Sequence, residues 1–540
     1  MSVRCGIDLG TTYSALSWYD PDNRRVETVD LDTADGGRIL RSVVFYEPGG
    51  QVVVGEAAYN AARKHPDRVL IGVKRSMGDN WKTPSIDGHQ YTPQEISAEI
   101  LKVLKTDAEN FLGEPIHDVV ITVPAYFGDN QRAATEEAGR LAGLNVLALM
   151  PEPHAAALAF SIDRVHEVAD RALLVYDLGG GTFDVTLIRT TTETAADGTI
   201  GLKVTTLCKE GNRHLGGLDW DRNLSEIVAQ RIQNQHGVDP QQDAADNAAL
   251  QDNCEKAKRQ LTQVTSYSVV GDIQGHTADV TRAELEQVTA DLLLQTEALL
   301  LHVLEMAEQQ YGLTRDQIDV LLSGGSSKMP MVEQMISRVM GKASLRHKNP
   351  ELLVTQGAAY MAYLLGVMPS QMSTSPEPQP DPNPTPSPSD SQHTPPPPPD
   401  PVIVVKGQRI VLSADGLVDT GKAVGVEIIG GFDAAGNPLP RNAVIVPDGA
   451  VYGQEYEKDF ATSRDNMTEI PVVLYEGADA DLANCTHLAS VTISGLPPGR
   501  PKGKRVRVKL SYDPSGIIRG EGVDLESGQK VDILIDRRKS

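Results

Sequence analysis

Asp8-Leu9-Gly10-Thr11-Thr12-Tyr13 and Asp177-Leu178-Gly179-Gly180-Gly181-Thr182 decide how this chain is read. Each follows a strand-like run, Val3 to Ile7 and Leu173 to Tyr176, and leads into another, Ser14 to Trp18 and Phe183 to Ile188. Glycine lets the backbone turn tightly and brings bare amides up to an anion, and threonine adds hydroxyl donors. An aspartate at each strand end, Asp8 and Asp177, suits a magnesium ion held directly or through water. One such hairpin is an ordinary β-turn. Two with the same Asp-Leu-Gly start, 169 residues apart, suggest a duplicated domain closing on a nucleotide phosphate tail from both sides.

Around these hairpins, residues 1–367 alternate strand and helix signals, the pattern of an α/β domain. The full length of 540 residues exceeds one core and predicts two or three domains. Residues 368–401 differ in kind. Pro369 to Pro401 hold 14 of the 34 prolines, cannot bury a core, and read as an extended, disordered tether. From Val402 to Ser540 the signals are nearly all β, with runs such as Val424 to Ile429, Ile470 to Tyr475 and Arg505 to Leu510. Turns are read at Asp433 to Asn437, Pro497-Pro498-Gly499 and Asp513 to Gly516, giving a β-sandwich over 402–540. No long helical pattern follows it.

A net charge of −23 argues against nucleic-acid binding. Four dispersed cysteines show no metal or redox spacing and fit a reducing, cytoplasmic setting. The opening residues run straight into a strand, with no signal-peptide layout, and no apolar run is long enough for a membrane span.

Further motifs carry chemistry. Lys74, beside a phosphate site, suits orienting water and stabilising γ-phosphate charge; alone it is a surface lysine. Val119 to Val123 read as a buried strand ending in a Pro124 turn, after which Asp129 caps a helix through Arg132, Glu136 and Arg140. Glu152, between two prolines, reads as a helix-start carboxylate or as one aimed at the metal-bound phosphate. Glu255, Lys258, Arg259 and Thr262 share one helix face, which suits either solvent or an adenosine. Ser323-Gly324-Gly325-Ser326-Ser327-Lys328 is a Gly-Gly turn between strand and helix that admits a nucleoside or phosphate.

Together these pieces resemble the 70-kDa heat-shock (DnaK-type) chaperone family. The resemblance rests on Gly6 to Ser14, Thr122 to Phe127, Asp177 to Val185 and His214-Leu215-Gly216-Gly217, long motifs in family order. It implies an actin-like duplicated ATPase domain using ATP/ADP and Mg²⁺. Gly10, Thr11, Thr12 and Tyr13 with Gly179, Gly180, Gly181 and Thr182 would bind phosphates, and Asp8 and Asp177 would place magnesium. Lys74, Glu152, Asp177, Thr182 and Asp184 match positions used around hydrolysis. Gly216, Gly217, Glu255, Lys258, Arg259, Thr262, Gly324, Gly325, Ser326, Lys328 and Glu351 match the nucleotide pocket, and Pro124 and Arg132 the interdomain relay.

The tail resembles the family's substrate-binding sandwich more weakly. On that match Val426, Ile429, Phe460, Ser463, Ile470, Val472 and Val506 line a groove for extended apolar peptides; as bare residues they read equally as sandwich core. Three departures stand out. Pro151 and His154 replace a family Asn and Thr, the short apolar linker is absent, and so is the helical lid. Val402 to Val405, an apolar β-branched run just after the proline tether, is expected to supply a replacement docking strand. The expected function is an ATP-dependent chaperone with peptide clients, a J-domain co-chaperone and a nucleotide exchange factor, without nucleic-acid or membrane partners. The alternative is an ATP-binding scaffold whose β-domain holds one dedicated partner.

Overall fold

The computed structural model describes residues 3–365 and 402–534, apart from 32–36, 165–170, 346, 348, 406, 407, 419, 422, 433–436, 448, 449, 452 and 514–516. The proline-rich tether and most of two expected turns, Asp433 to Asn437 and Asp513 to Gly516, lie outside the described residues.

Two sheets repeat one topology. In the first, Arg25–Thr28, Tyr13–Asp20, Cys5–Asp8, Asp118–Val123 and Asn145–Pro151 lie side by side in that order. Cys5–Asp8 runs antiparallel to Tyr13–Asp20 and parallel to Asp118–Val123. In the second, Ile200–Asn212, Phe183–Thr194, Arg171–Leu178 and Ile318–Ser323 repeat the order and the directions. Each quoted hairpin is therefore the first turn of its own lobe. The shared central strands are buried on both faces, which explains their unbroken apolar runs.

Two helices, Glu152–Asp163 and Leu353–Leu365, join the lobes. The first is buried along nearly its whole length, so its apolar residues show no single face. The pair cross at very close range. A Cβ on Gly357 would lie 1.9 Å from the Ala155 carbonyl oxygen, and one on Gly6 would lie 2.1 Å from the Ala359 amide nitrogen. Alanine and glycine thus let backbone approach backbone at the hinge.

The expected docking strand is half right. Ile403–Val405 forms a strand, but it does not pair with a strand of either lobe directly. It pairs antiparallel with Gln408–Val418, and that second strand runs parallel along Ile200–Asn212. An apolar run, Ile410-Val411-Leu412, does precede the sandwich, and with Ile403–Val405 the strand that carries it extends the second sheet to six strands. Ile403 and Ile410 are buried in one cluster with Tyr19, Leu202, Val204 and Leu364. Tyr19 of the first lobe donates its hydroxyl to the Val404 carbonyl (3.4 Å) and accepts from the Val404 N–H (3.1 Å). Burying each isoleucine is worth about 1.5–3 kcal/mol. Replacing both with Ser is expected to release the hairpin and to lose hydrogen-exchange protection at the amides of Ile200 to Thr205. Unchanged protection would show that the pairing does not depend on them.

Beyond this hairpin stand two four-stranded antiparallel sheets. Their orders are Pro438–Val446, Val424–Phe432, Ile470–Glu476, Thr486–Ile493, and Glu455–Ala461, Arg505–Tyr512, Ile518–Asp524, Lys530–Leu534. Burial alternates along Arg505–Tyr512, with Val506, Val508, Leu510 and Tyr512 inward, as expected of a sandwich sheet. The sandwich rests against the helix Asp129–Leu141. Asp129 was expected to cap that helix, but Gly128 occupies the N-cap without a side-chain bond. The Asp129 carboxylate instead accepts the Ile518 N–H at 2.9 Å, a bond across 389 residues that no local signal announces.

Candidate functional site

The two hairpins meet face to face. A Cβ on Gly180 would lie 1.9 Å from the Thr12 hydroxyl, and one on Gly181 2.4 Å from the Thr11 methyl. Gly10 sits 2.0 Å, on the same measure, from the Tyr13 carbonyl. These glycines therefore serve close packing as well as turning. Gly216 packs on the Gly181 backbone, and Gly217 and Leu218 donate their N–H groups to the Gly179 and Gly180 carbonyls at 3.0 and 2.8 Å. The second hairpin is thereby fastened to the start of the helix Gly217–His236.

Below the hairpins four carboxylates gather: Asp8, Glu152, Asp177 and Asp184. Lys74 reaches Glu152 at 2.6 Å and is itself buried. Asp8 accepts the Thr122 hydroxyl at 3.2 Å, and Asp184 accepts the Tyr126 N–H at 3.2 Å. Desolvation in the cleft floor, and then the Glu152 charge, push Asp8 and Asp184 up to about 7, although Lys74 pulls both down. Asp177 is raised well above its usual range by burial first, then by Glu152, Asp184 and Asp8. Four carboxylates share a single lysine here, and their mutual repulsion adds to burial in raising these values. Among the described residues no three acid, His or Cys side chains close into a chelate.

The other end of the cleft is a charged wall. Glu255 accepts the Tyr13 hydroxyl at 2.9 Å and forms an ion pair with Arg41, whose guanidinium lies 3.5 Å from the Tyr59 ring centroid. Arg259 donates to the Tyr13 hydroxyl at 3.1 Å. Lys258 bonds Asp221 at 2.8 Å and the Gly217 carbonyl at 2.9 Å. Thr262 turns its hydroxyl back to the Arg259 carbonyl. Gly324 has a left-handed backbone (φ 78°) against the Leu178 carbonyl, Gly325 faces open space, and Lys328 pairs with Glu351 at 2.8 Å.

A single cleft of about 420 Å³ brings most of these residues together. Its lining includes Asp8, Gly10, Thr11, Thr12, Tyr13, Lys74, Glu152, Asp177, Gly179, Gly180, Thr182 and Gly217. It also includes Glu255, Lys258, Arg259, Thr262, Gly324, Gly325, Ser326, Lys328 and Glu351. Gly181, Asp184 and Gly216 stand behind that surface. Asp221 lines the cleft and was missed; it lies one helical turn after Gly217, the spacing that could have found it. The peptide positions are divided. Val426, Ile470, Val472 and Val506 lie inside the sandwich core, Phe460 is half-buried, and Ile429 and Ser463 are exposed. Of the relay pair, Arg132 is buried and donates to the Phe127 carbonyl at 3.1 Å.

A family model described as Hsp70 protein matches residues 4–89, 84–372 and 420–540. The chain belongs to the Hsp70 family. Known Hsp70-family relatives include "Chaperone protein DnaK" of Thermotoga neapolitana and of Thermotoga maritima. Each is 35% identical over 547 residues, covering 99% of this chain and 80% of the relative. "Chaperone protein DnaK" of Thermosipho africanus is 34% identical over 545 residues, with the same coverage. Like them, this Hsp70 is an ATP-dependent molecular chaperone and an ATPase. The family match lapses between residues 372 and 420, the interval that holds the docking hairpin.

Proposed function

We propose that the cleft between the lobes binds MgATP by its hairpins and hydrolyses it at the carboxylate cluster. The observation that carries this reading is the convergence of four acids and one lysine where two phosphate-type hairpins touch. The donors fit the ligand. Thr12 Oγ1 is buried without a hydrogen-bond partner beside Gly180, in a cradle that any Cβ would fill. Asp8 and Asp177 would hold the ion, which when bound neutralises phosphate charge. Lys74 orients the attacking water and stabilises charge on the γ-phosphate. Glu152 holds Lys74 in place, Asp184 accepts the proton, and Thr182 donates to phosphate. Glu255, Lys258, Arg259 and Thr262, with Gly324 to Ser326, Lys328 and Glu351, take the nucleoside.

In this reading residues 1–367 form an actin-like nucleotide domain, 368–401 a linker, and 402–540 the β-region expected from the sequence; its first hairpin, Ile403–Val405 with Gln408–Val418, adds to the second lobe's sheet, and the peptide-binding sandwich is built from the strands after it. Clients are extended apolar segments of unfolded proteins. A J-domain partner and a nucleotide exchange factor act on the chain in the cytoplasm. No helix among the described residues is long and apolar enough to cross a membrane.

Proton release tests the site. Asp8 and Asp184 move from an ordinary 3.8 to about 7 in the ligand-free cleft. Their folded values exceed the unfolded ones, so the fold binds extra protons between about pH 4 and 7 and loses stability as pH rises through that window. The cation needs its holders, Asp8 and Asp177, ionised, and burial raises both. MgATP affinity should therefore rise from pH 6 to 8, with protons expelled on binding at pH 7. Calorimetry in two buffers of different ionisation enthalpy reads this directly. Identical heats, or affinity indifferent to Asp177→Ala, would remove the cation from this cluster.

A further inference from the structure

Arg75 follows Lys74 in a single 3₁₀ turn, Val73–Ser76, entered through Gly72 in the left-handed region (φ 68°). The turn sends the two neighbours in opposite directions. Lys74 goes to Glu152, at 2.6 Å. Arg75 crosses to the other lobe, where its Nε donates to the Gly181 carbonyl at 2.8 Å and its Nη2 to Asp219 Oδ2 at 2.5 Å. The same Asp219 oxygen accepts the Gly216 N–H at 2.9 Å, at the start of the helix Gly217–His236. Arg222 reaches the other oxygen at 3.3 Å. One guanidinium therefore ties the Lys74 turn to the second phosphate hairpin and to the helix start that backs it. Asp219 is buried, so this pair is only weakly screened by solvent. A neighbouring cross-lobe pair, Arg213 with Asp79 at 3.2 Å, is exposed on both sides and worth little.

Arg75, Gly181 and Asp219 stand outside the cleft surface, so this contact grips no nucleotide. We propose that Arg75 is a positioning residue: a strut across the lobes that sets Lys74 at its working distance from the phosphate held by Gly179 to Thr182. The proposal rests on the role given to Lys74 above. It accounts for an arginine at this position, because the planar guanidinium presents Nε and Nη2 to the carbonyl and the carboxylate in a fixed geometry that a flexible lysine stem does not reproduce. A displacement of about 1 Å at a reacting group is enough to cost on the order of 100-fold in rate.

The test uses the full chain with ATP bound before single-turnover hydrolysis is started. Arg75→Ala, Arg75→Lys and Asp219→Asn are each expected to slow hydrolysis by roughly 10- to 100-fold. ATP affinity should stay within about threefold, since binding contacts are untouched. Lys should not rescue Arg. Arg75→Ala added to Lys74→Ala should slow the reaction no further, because a strut has no task once the group it places is gone. If Arg75→Ala fails to fold, Arg75→Lys and Asp219→Asn, each combined with Lys74→Ala, read the same coupling. Losses that multiply, or affinity falling as far as rate, would overturn the strut. A slow Lys74→Ala beside an unimpaired Arg75→Ala would overturn the strut alone, whereas an unimpaired Lys74→Ala would overturn the role of Lys74 and the strut with it.

Discussion

Lys74→Ala is expected to slow ATP hydrolysis by on the order of 10²–10³-fold while ATP affinity stays within about threefold. A buried cation aimed at charge that develops during the reaction stabilises the transition state more than the bound substrate. In this cleft the loss is compounded. Lys74 holds down the Asp8 and Asp184 pKa values, and its removal lets both rise above about 7. It also leaves Glu152 buried without its 2.6 Å partner. The variant should therefore recover part of its rate as pH is raised from 7 to 9, an alkaline shift that the parent does not share. Single-turnover hydrolysis beside equilibrium nucleotide titration decides it. Equal losses in rate and affinity would make Lys74 a binding group.

Gly357→Ala is expected to destabilise the nucleotide-binding lobes by about 3 kcal/mol or more, the upper range for overpacking. Alanine improves intrinsic helix propensity over glycine by about 1 kcal/mol. The crossing overrides that gain, because the new Cβ would lie 1.9 Å from the Ala155 carbonyl oxygen and 2.4 Å from its carbon. Both are backbone atoms of a buried helix, so no side chain can swing aside. At about 2–4 °C per kcal/mol for a unit of 150–250 residues, melting should fall by roughly 6–12 °C. Adding Ala155→Gly should not rescue the variant, since the obstacle is a carbonyl and not a methyl. Calorimetry showing an unchanged or higher Tm would mean that the helices part without cost. Because these two helices join the lobes, the surviving fold should also bind ATP less tightly.

What the sequence disclosed was local. The two Asp-Leu-Gly hairpins, the Lys74 turn and the Glu255 to Thr262 helix face were legible because their chemistry is compressed into a few neighbouring residues. The structure brings them to one cleft. What stayed hidden depends on partners far along the chain. Asp129 has the look of a cap, yet its acceptor is used by Ile518. Arg75 shows its use only once Gly181 and Asp219 are beside it. Arg41 gave no signal before Glu255 and Tyr59 surrounded it. The apolar run Ile410-Val411-Leu412 is short and gives way to Ser413-Ala414-Asp415-Gly416, so it carries little strand signal of its own. The register absorbs that stretch, stepping from Leu202 opposite Leu412 to Val204 opposite Leu417.

The strand Gln408–Val418 has a consequence for solubility. It covers the Ile200 to Thr205 half of Ile200–Asn212, a long strand with Ile200, Leu202, Val204, Thr206 and Cys208 turned inward and no proline. Uncovered, that strand would offer its free N–H and C=O groups to any other extended chain, the usual start of aggregation. A protein that handles sticky, unfolded neighbours would then carry a template for them on its own flank. Covering that flank is therefore a protective task, separate from any signalling between domains. Variants with a weakened hairpin should precipitate in crowded extracts before they show a defect in turnover.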